Sequence, residues 1–247
     1  MITQKLGRFF FQKATSLSVA VLLLTHMTQA QTLADSKEPG KLKIVCLGDS
    51  ITGPTPGAVY LDKYIKWSNL IELALEGSLG AGKVEVFNRG MAGDTSSGVR
   101  AHLKERLLDL HPDIAIILIG ANNFSSEKTK GIDQAEVSAK LKADVKEIVA
   151  QAKADKIRVL LLQYPEPKAD NMEKVWKHGD HGNPVIAEVA KEEGVPVLDL
   201  RPAFNKAAQT QPLATLASPV DGIHLSPGGE LVLTRAVVEK LRSLKWF

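Results

Sequence analysis

Among 247 residues there is one cysteine, Cys46, so the chain has no internal disulfide open to it. It sits inside the apolar run "LKIVCL", where a thiol serves as a small buried hydrophobe, and no chemistry is expected of it. No apolar stretch is long enough to span a bilayer comfortably. The stretch "SLSVAVLLL" near the N-terminus falls well short of the roughly 20 residues a helix needs for that. An excess of one charge is also missing from most of the chain. The formal net charge is +3, and setting aside Lys5, Arg8 and Lys13 from the 31 Lys and Arg leaves 28, equal to the 28 Asp and Glu. A basic pI of this origin implies no nucleic-acid partner. Internal repeats, low-complexity tracts and long charge blocks are absent as well.

The three set-aside cations precede "SLSVAVLLL", and a small-residue exit, "TQA", follows it; no acid occurs in this region. That order describes a secretory signal peptide over residues 1–30, cleaved after Ala30, so the product is expected outside the cytoplasm, periplasmic or extracellular, without stable membrane insertion. Residues 31–41, "QTLADSKEPGK", read as a flexible leader. Residues 42–247 then suffice for one domain with a sizeable core.

Five short apolar runs follow: "LKIVCL", "VEVFN", "IAIILIG", "RVLLLQY" and "VPVLDL". Their length and continuity predict buried parallel strands. Between them lie helical patterns, clearest from Glu136 to Ala152, where Val137, Leu141, Val145, Ile148 and Ala152 share a face. Weaker helices are expected at Trp67–Leu79, Val99–Leu108, Pro184–Glu193 and Gly229–Leu244. Alternation of this kind predicts an α/β fold with helices covering a parallel sheet.

In such sheets the working crevice lies beyond the carboxyl ends of the strands. The first run exits through "GDSIT", which places Ser50 there, although its "GDS" also suits an ordinary turn capped by Asp49 or Ser50. The second exits through "NRGMAGDTSSG", where Gly90 and Gly93 allow close backbone approach and Thr95 or Ser96 can cap a helix. After the third comes "GANN", with Gly120 for a tight exit and Asn122 as an amide donor. Near the C-terminus "DGIHLSPGG" sets Asp221 three residues before His224, a spacing at which a carboxylate can hold an imidazole. Ser226 and Pro227 there read as the N-cap and first residue of a helix.

Together the four stretches resemble the SGNH hydrolases, the GDSL-type lipase and esterase family, over Leu42 to about Leu244. The resemblance implies a three-layer α/β/α sandwich around a five-stranded parallel sheet, the flavodoxin-like SGNH hydrolase fold. It implies Ser50 as nucleophile, His224 as base and Asp221 as the acid that orients it. It also implies an oxyanion hole made of the Ser50 N–H, the Gly93 N–H and the Asn122 amide. Asn123 stands where many members carry Asp, which bears on the hydrogen bonding around Asn122.

The chemistry is consistent with those residue types, because a serine hydroxyl needs a neighbouring base and preorganised donors for the developing oxyanion, and needs neither metal nor organic cofactor. The expected activity is hydrolysis of small carboxylic esters, with O-acetyl groups on carbohydrate foremost. A lysophospholipase or thioesterase, a carbohydrate O-acyltransferase and a non-catalytic carbohydrate-binding module are the alternatives. "WKHGDHG" brings His178, Asp180 and His181 together, in no metal-ligand spacing, and reads as a solvated polar loop. Tyr60, Tyr64 and Trp67 suit either an acyl or sugar surface or, for Trp67, helix core. Arg89 suits an anionic substrate or an ordinary surface.

Overall fold

The computed structural model describes residues 40–54, 66–125, 131–165, 173–218 and 222–247. Five strands appear where the apolar runs predict them: β1 (Leu42–Gly48), β2 (Val84–Gly90), β3 (Ile114–Leu118), β4 (Arg158–Gln163) and β5 (Val197–Asp199). All pair in parallel, in the order β2-β1-β3-β4-β5. The order reverses at β1, so the crevice predicted for a doubly wound sheet opens between the carboxyl ends of β1 and β3.

Helices connect the strands: α1 (Trp67–Leu79), α2 (Ser96–Ala101), α3 (Leu103–Arg106), α4 (Gln134–Ala154), α5 (Glu173–Glu193), α6 (Arg201–Ala207) and α7 (Pro227–Ser243). Side-chain alternation along β1 divides the core between the sheet's two faces. Ile44 and Cys46, with Ile116 and Leu160, meet Trp67 and Ile71 of α1 and Leu233 and Val237 of α7. Val45 and Leu47, with Ile117 and Leu161, meet Val99 and the α4 stripe of Leu141, Val145 and Ile148. Burial of each such side chain contributes about 1.5–3 kcal/mol, and the result is the α/β/α sandwich expected. Residues 42–247 form one compact unit.

Three expectations need correction. The helix predicted over Val99–Leu108 is interrupted at His102, leaving α2, α3 and a 3-10 turn at Leu108–Leu110. The helix expected to start at Pro184 instead begins at Glu173 and runs through that proline. Proline is favoured at a first helical position, but here the neighbouring Asn183 supplies a tertiary anchor that holds the chain helical across it. Asn183 Oδ1 accepts from the Tyr164 N–H (2.7 Å), its Nδ2 donates to Tyr164 O (3.0 Å), and its carbonyl accepts from Gln163 Nε2 (2.7 Å). Consequently His178, Asp180 and His181 lie on α5, not in a polar loop. His181 is exposed, with its ring 5.5 Å from that of Phe124. The side chains of His178 and Asp180 lie outside the described residues, as does the 1–30 segment.

Candidate active site

The turn after β1 is built by its own sequence. Gly48 is required at the strand exit because a Cβ there would lie 2.3 Å from Leu118 O and 2.5 Å from Thr52 Oγ1. Asp49 then folds the chain back: its carbonyl accepts from the Thr52 N–H (3.1 Å) and the Gly53 N–H (2.8 Å), and its Oδ1 accepts from the Ile51 N–H (2.9 Å). This Asx-type turn leaves Ser50 half-buried at the apex. The far end of the turn is tied to β2, where Asn88 Nδ2 donates to Thr52 O (2.7 Å) and the Met91 N–H donates to Gly48 O (2.9 Å).

Asp49 is 2 % exposed and its second oxygen accepts from the Tyr164 hydroxyl at 2.6 Å. Burial raises the Asp49 carboxyl above its ordinary value. The Tyr164 hydroxyl, the Ile51 amide and the neighbouring His224 and Lys66 act in the opposite sense. His224 therefore lies within electrostatic reach of the residue beside Ser50. Tyr164 is pushed well above its ordinary value by burial and by Asp49, and its hydroxyl is also reached by the Ala121 amide. One phenol thus joins the exits of β1, β3 and β4.

The β2 exit turns at Gly93, whose φ of +72° is a left-handed conformation that glycine adopts without penalty. Asp94 follows, and its carbonyl accepts from Asn122 Nδ2 at 3.0 Å, so the loop carrying Gly93 and the loop carrying Asn122 are in direct contact. An amide nitrogen carries two hydrogens, and this bond uses one of them. The Asp94 carboxylate pairs with Arg106 at 2.5 Å, both side chains 8 % exposed, and the same guanidinium donates to Arg89 O (3.1 Å) and Gly48 O (3.4 Å). Arg106 therefore braces the β1 and β2 exits from below. Thr95 is the N-cap of α2, accepting from the Gly98 N–H. Asn123 accepts from the Ser96 N–H (3.0 Å) and donates to Ser96 Oγ (2.8 Å), which donates in turn to Asp144 (2.8 Å). The amide at this position thus serves the polar contacts that fix the Asn122 loop. Beside it, a cavity of about 200 Å³ is lined by Thr95, Ser97, Asn123, Glu136, Lys140 and the apolar Ile132 and Val137.

His224 precedes α7 on a short loop. The Ser218 N–H donates to its carbonyl (2.6 Å), a bridge joins Ala217 to Leu225, and Ser226 caps the helix through Gly229 as expected. Asp221 lies outside the described residues, as do Tyr60 and Tyr64. Trp67 is fully buried as the first residue of α1 and belongs to the core, which removes it from any substrate surface. Arg89 is half-buried with its guanidinium 5.5 Å from the Phe87 ring. Cys46 is free and buried, and burial pushes its thiol up, away from reactivity.

The motifs did not reveal Lys66, Arg106, Tyr164 or Glu230. Lys66 and Glu230 are 4 % and 1 % exposed. Lys66 Nζ donates to Ser50 O at 3.1 Å and lies 3.5 Å from Glu230 Oε1, while Glu230 Oε2 accepts from the Trp67 N–H at 2.7 Å. The only sequence signal for Tyr164 was a polar aromatic closing an apolar run.

A parallel sheet in this order, with a serine turn at its point of reversal and glycine and asparagine loops beside it, is the layout of an SGNH-type hydrolase. The chain belongs to the GDSL-like lipase/acylhydrolase family, whose sequence profile matches residues 46–231. It is accordingly a carboxylic ester hydrolase. It is 25 % identical over 166 residues to an acetylxylan esterase of Geobacillus stearothermophilus, covering 64 % of this chain and 72 % of the relative. A solved catalytic mutant of an acetylxylan esterase from that species superposes with a TM-score of 0.65 at 22 % identity, covering 83 % of this chain and 96 % of the other. An α/β hydrolase from the metagenome of Lake Arreo gives 0.65 at 23 % identity, covering 80 % and 94 %. Among the described residues no helix is long and apolar enough to cross a membrane.

Proposed function

We propose that this chain is an exported serine esterase that removes small acyl groups, above all O-acetyl groups on carbohydrate, using Ser50, His224 and Asp221. Ser50 Oγ attacks the ester carbonyl as His224 takes its proton, and His224 then returns that proton to the leaving alcohol. Asp221 fixes the imidazole tautomer and stabilises the imidazolium. The Ser50 N–H, the Gly93 N–H and the second Asn122 amide hydrogen receive the charge on the carbonyl oxygen. Water completes the cycle by attacking the acyl-enzyme.

The observation that carries this reading is the contact of three strand exits around one serine turn: Met91 bonded to Gly48, Asn122 bonded to Asp94, and Tyr164 bonded to Asp49. The role of Asp221 draws support from the acetylxylan esterase, for which catalytic mutants were solved at a serine, an aspartate and a histidine, the last two also three positions apart. The acetyl-carbohydrate assignment rests on likeness to that enzyme. Release of acetate from acetylated xylooligosaccharides, alongside p-nitrophenyl esters of increasing chain length, tests it. Turnover falling with acyl length and acetate released from the sugar are expected. Preference for long acyl chains, with no acetate from sugar, would refute the substrate assignment.

A further inference from the structure

Lys66 and Glu230 form a charged pair that is almost completely buried, at 4 % and 1 % exposure. Burying such a pair carries a large desolvation cost for each ion, and apolar residues of similar volume often stabilise a fold as well or better. The pair's contacts show what the charges accomplish. Lys66 Nζ donates to Ser50 O at 3.1 Å, while Asp49 Oδ1 accepts from the Ile51 N–H at 2.9 Å. The carbonyl and the N–H belong to the same peptide group, the one joining Ser50 to Ile51. A peptide is planar, so fixing both of its polar atoms fixes its plane, and with it ψ of Ser50 and the direction in which the serine presents its side chain.

Glu230 holds the other end of this clamp. It sits in the first turn of α7, lies 3.5 Å from Lys66 Nζ through Oε1, and accepts from the Trp67 N–H through Oε2 at 2.7 Å. Lys66 occupies the N-cap position of α1 but makes no side-chain capping bond, so a carboxylate 163 positions along the chain supplies that acceptor. Thr234, one turn along α7, donates to Glu230 O at 2.7 Å. Rigid α7 thereby sets Glu230, Glu230 sets Lys66, and Lys66 sets the Ser50–Ile51 peptide.

We infer that Lys66 and Glu230 are positioning residues for the reaction, holding the peptide that follows Ser50 so that the hydroxyl and its own N–H face the substrate carbonyl together. The inference rests on Ser50 being the nucleophile. Its claim concerns orientation during turnover, so removing the clamp should lower kcat and leave KM nearly in place.

The test uses Lys66→Met and the paired Lys66→Met/Glu230→Met variant of the full chain, assayed with p-nitrophenyl acetate and by the rate of fluorophosphonate labelling of Ser50. Lys66→Met is expected to lower kcat and the labelling rate by about ten- to a hundredfold, the loss expected for one charge-assisted hydrogen bond, with KM changed less than about threefold. Its melting temperature should fall, because Glu230 is left as a buried charge without its cation. The paired variant should regain most of the melting temperature and none of the rate. Glu230→Gln, which keeps an oxygen for the Trp67 N–H, should lose less rate than Glu230→Ala. Wild-type kcat in either folded Met variant would overturn the positioning role, and so would loss of the fold in both, which would assign the pair to stability alone. A wild-type protein that neither turns over ester nor labels at Ser50 would instead refute the esterase reading beneath it.

Discussion

Replacing Tyr164 by Phe removes one oxygen atom and gives a pH-dependent penalty whose sign follows from the structure. The phenol donates to Asp49 Oδ2 at 2.6 Å, and both residues are buried, at 1 % and 2 % exposure. A hydrogen bond to a charged group contributes about 1.5–3 kcal/mol, against about 1 kcal/mol for a neutral pair. Tyr164→Phe should therefore cost about 2 kcal/mol where the Asp49 carboxylate is charged, a fall of about 4–8 °C in melting temperature for a domain of this size. The Asp49 carboxyl lies above its ordinary value of 3.8 in the folded protein, with burial as the main cause and the phenol opposing it. Its native form therefore holds a proton more tightly than the unfolded chain does. Its contribution to stability falls as pH rises from the ordinary carboxylate range through the raised value. Removing the phenol raises the native value further and extends that fall. The cost of Tyr164→Phe should thus be smaller at pH 4 than at pH 8. The phenol itself, pushed upward, stays neutral throughout. Urea unfolding of wild type and variant at the two pH values measures the difference, in which the other carboxylates cancel. A cost that is the same at both, or larger at pH 4, would show that the phenol does not stabilise the charged form of Asp49.

Asn122→Ala should lower kcat by about 10² to 10³ with little change in KM, since one oxyanion donor is lost; full activity per folded molecule would remove Asn122 from the reaction. Gly48→Ala should destabilise by about 3 kcal/mol, because the new Cβ meets Leu118 O at 2.3 Å, and an unchanged unfolding midpoint would show the strand exit to be looser than described. Mass spectrometry of protein from its native host should find a mature N-terminus near Gln31 outside the cytoplasm, whereas a retained Met1 inside it would contradict export.

Sequence periodicity was enough to place all five strands: β1, β3 and β4 are largely buried and appear as nearly continuous apolar runs, while the half-buried edge strands β2 and β5 still keep short apolar stretches. Caps at Thr95 and Ser226 were also legible, since capping depends on residues three apart. What escaped depends on contacts distant in sequence. Pro184 reads as a helix start until Asn183 is seen bonding to Tyr164 at the end of β4. Lys66 and Glu230 look like surface charges on two helices, and only their packing across α1 and α7 shows them to be buried partners. Ser50, Gly93 and Asn122 stand out as candidates from their loops, and the structure sets those loops in contact. The polar contacts that hold them, through Asp49, Tyr164, Arg106 and Asp94, have no local pattern to betray them.

Ser50 as the attacking group is the proposal on which the esterase chemistry depends. Wild-type protein treated with a fluorophosphonate, digested and mapped by mass spectrometry should carry the adduct on Ser50 alone, with esterase activity lost in step with labelling. Ser50→Ala should take no label and show no turnover while keeping the wild-type unfolding midpoint. A label on another serine, or substantial esterase activity in the folded alanine variant, would contradict it.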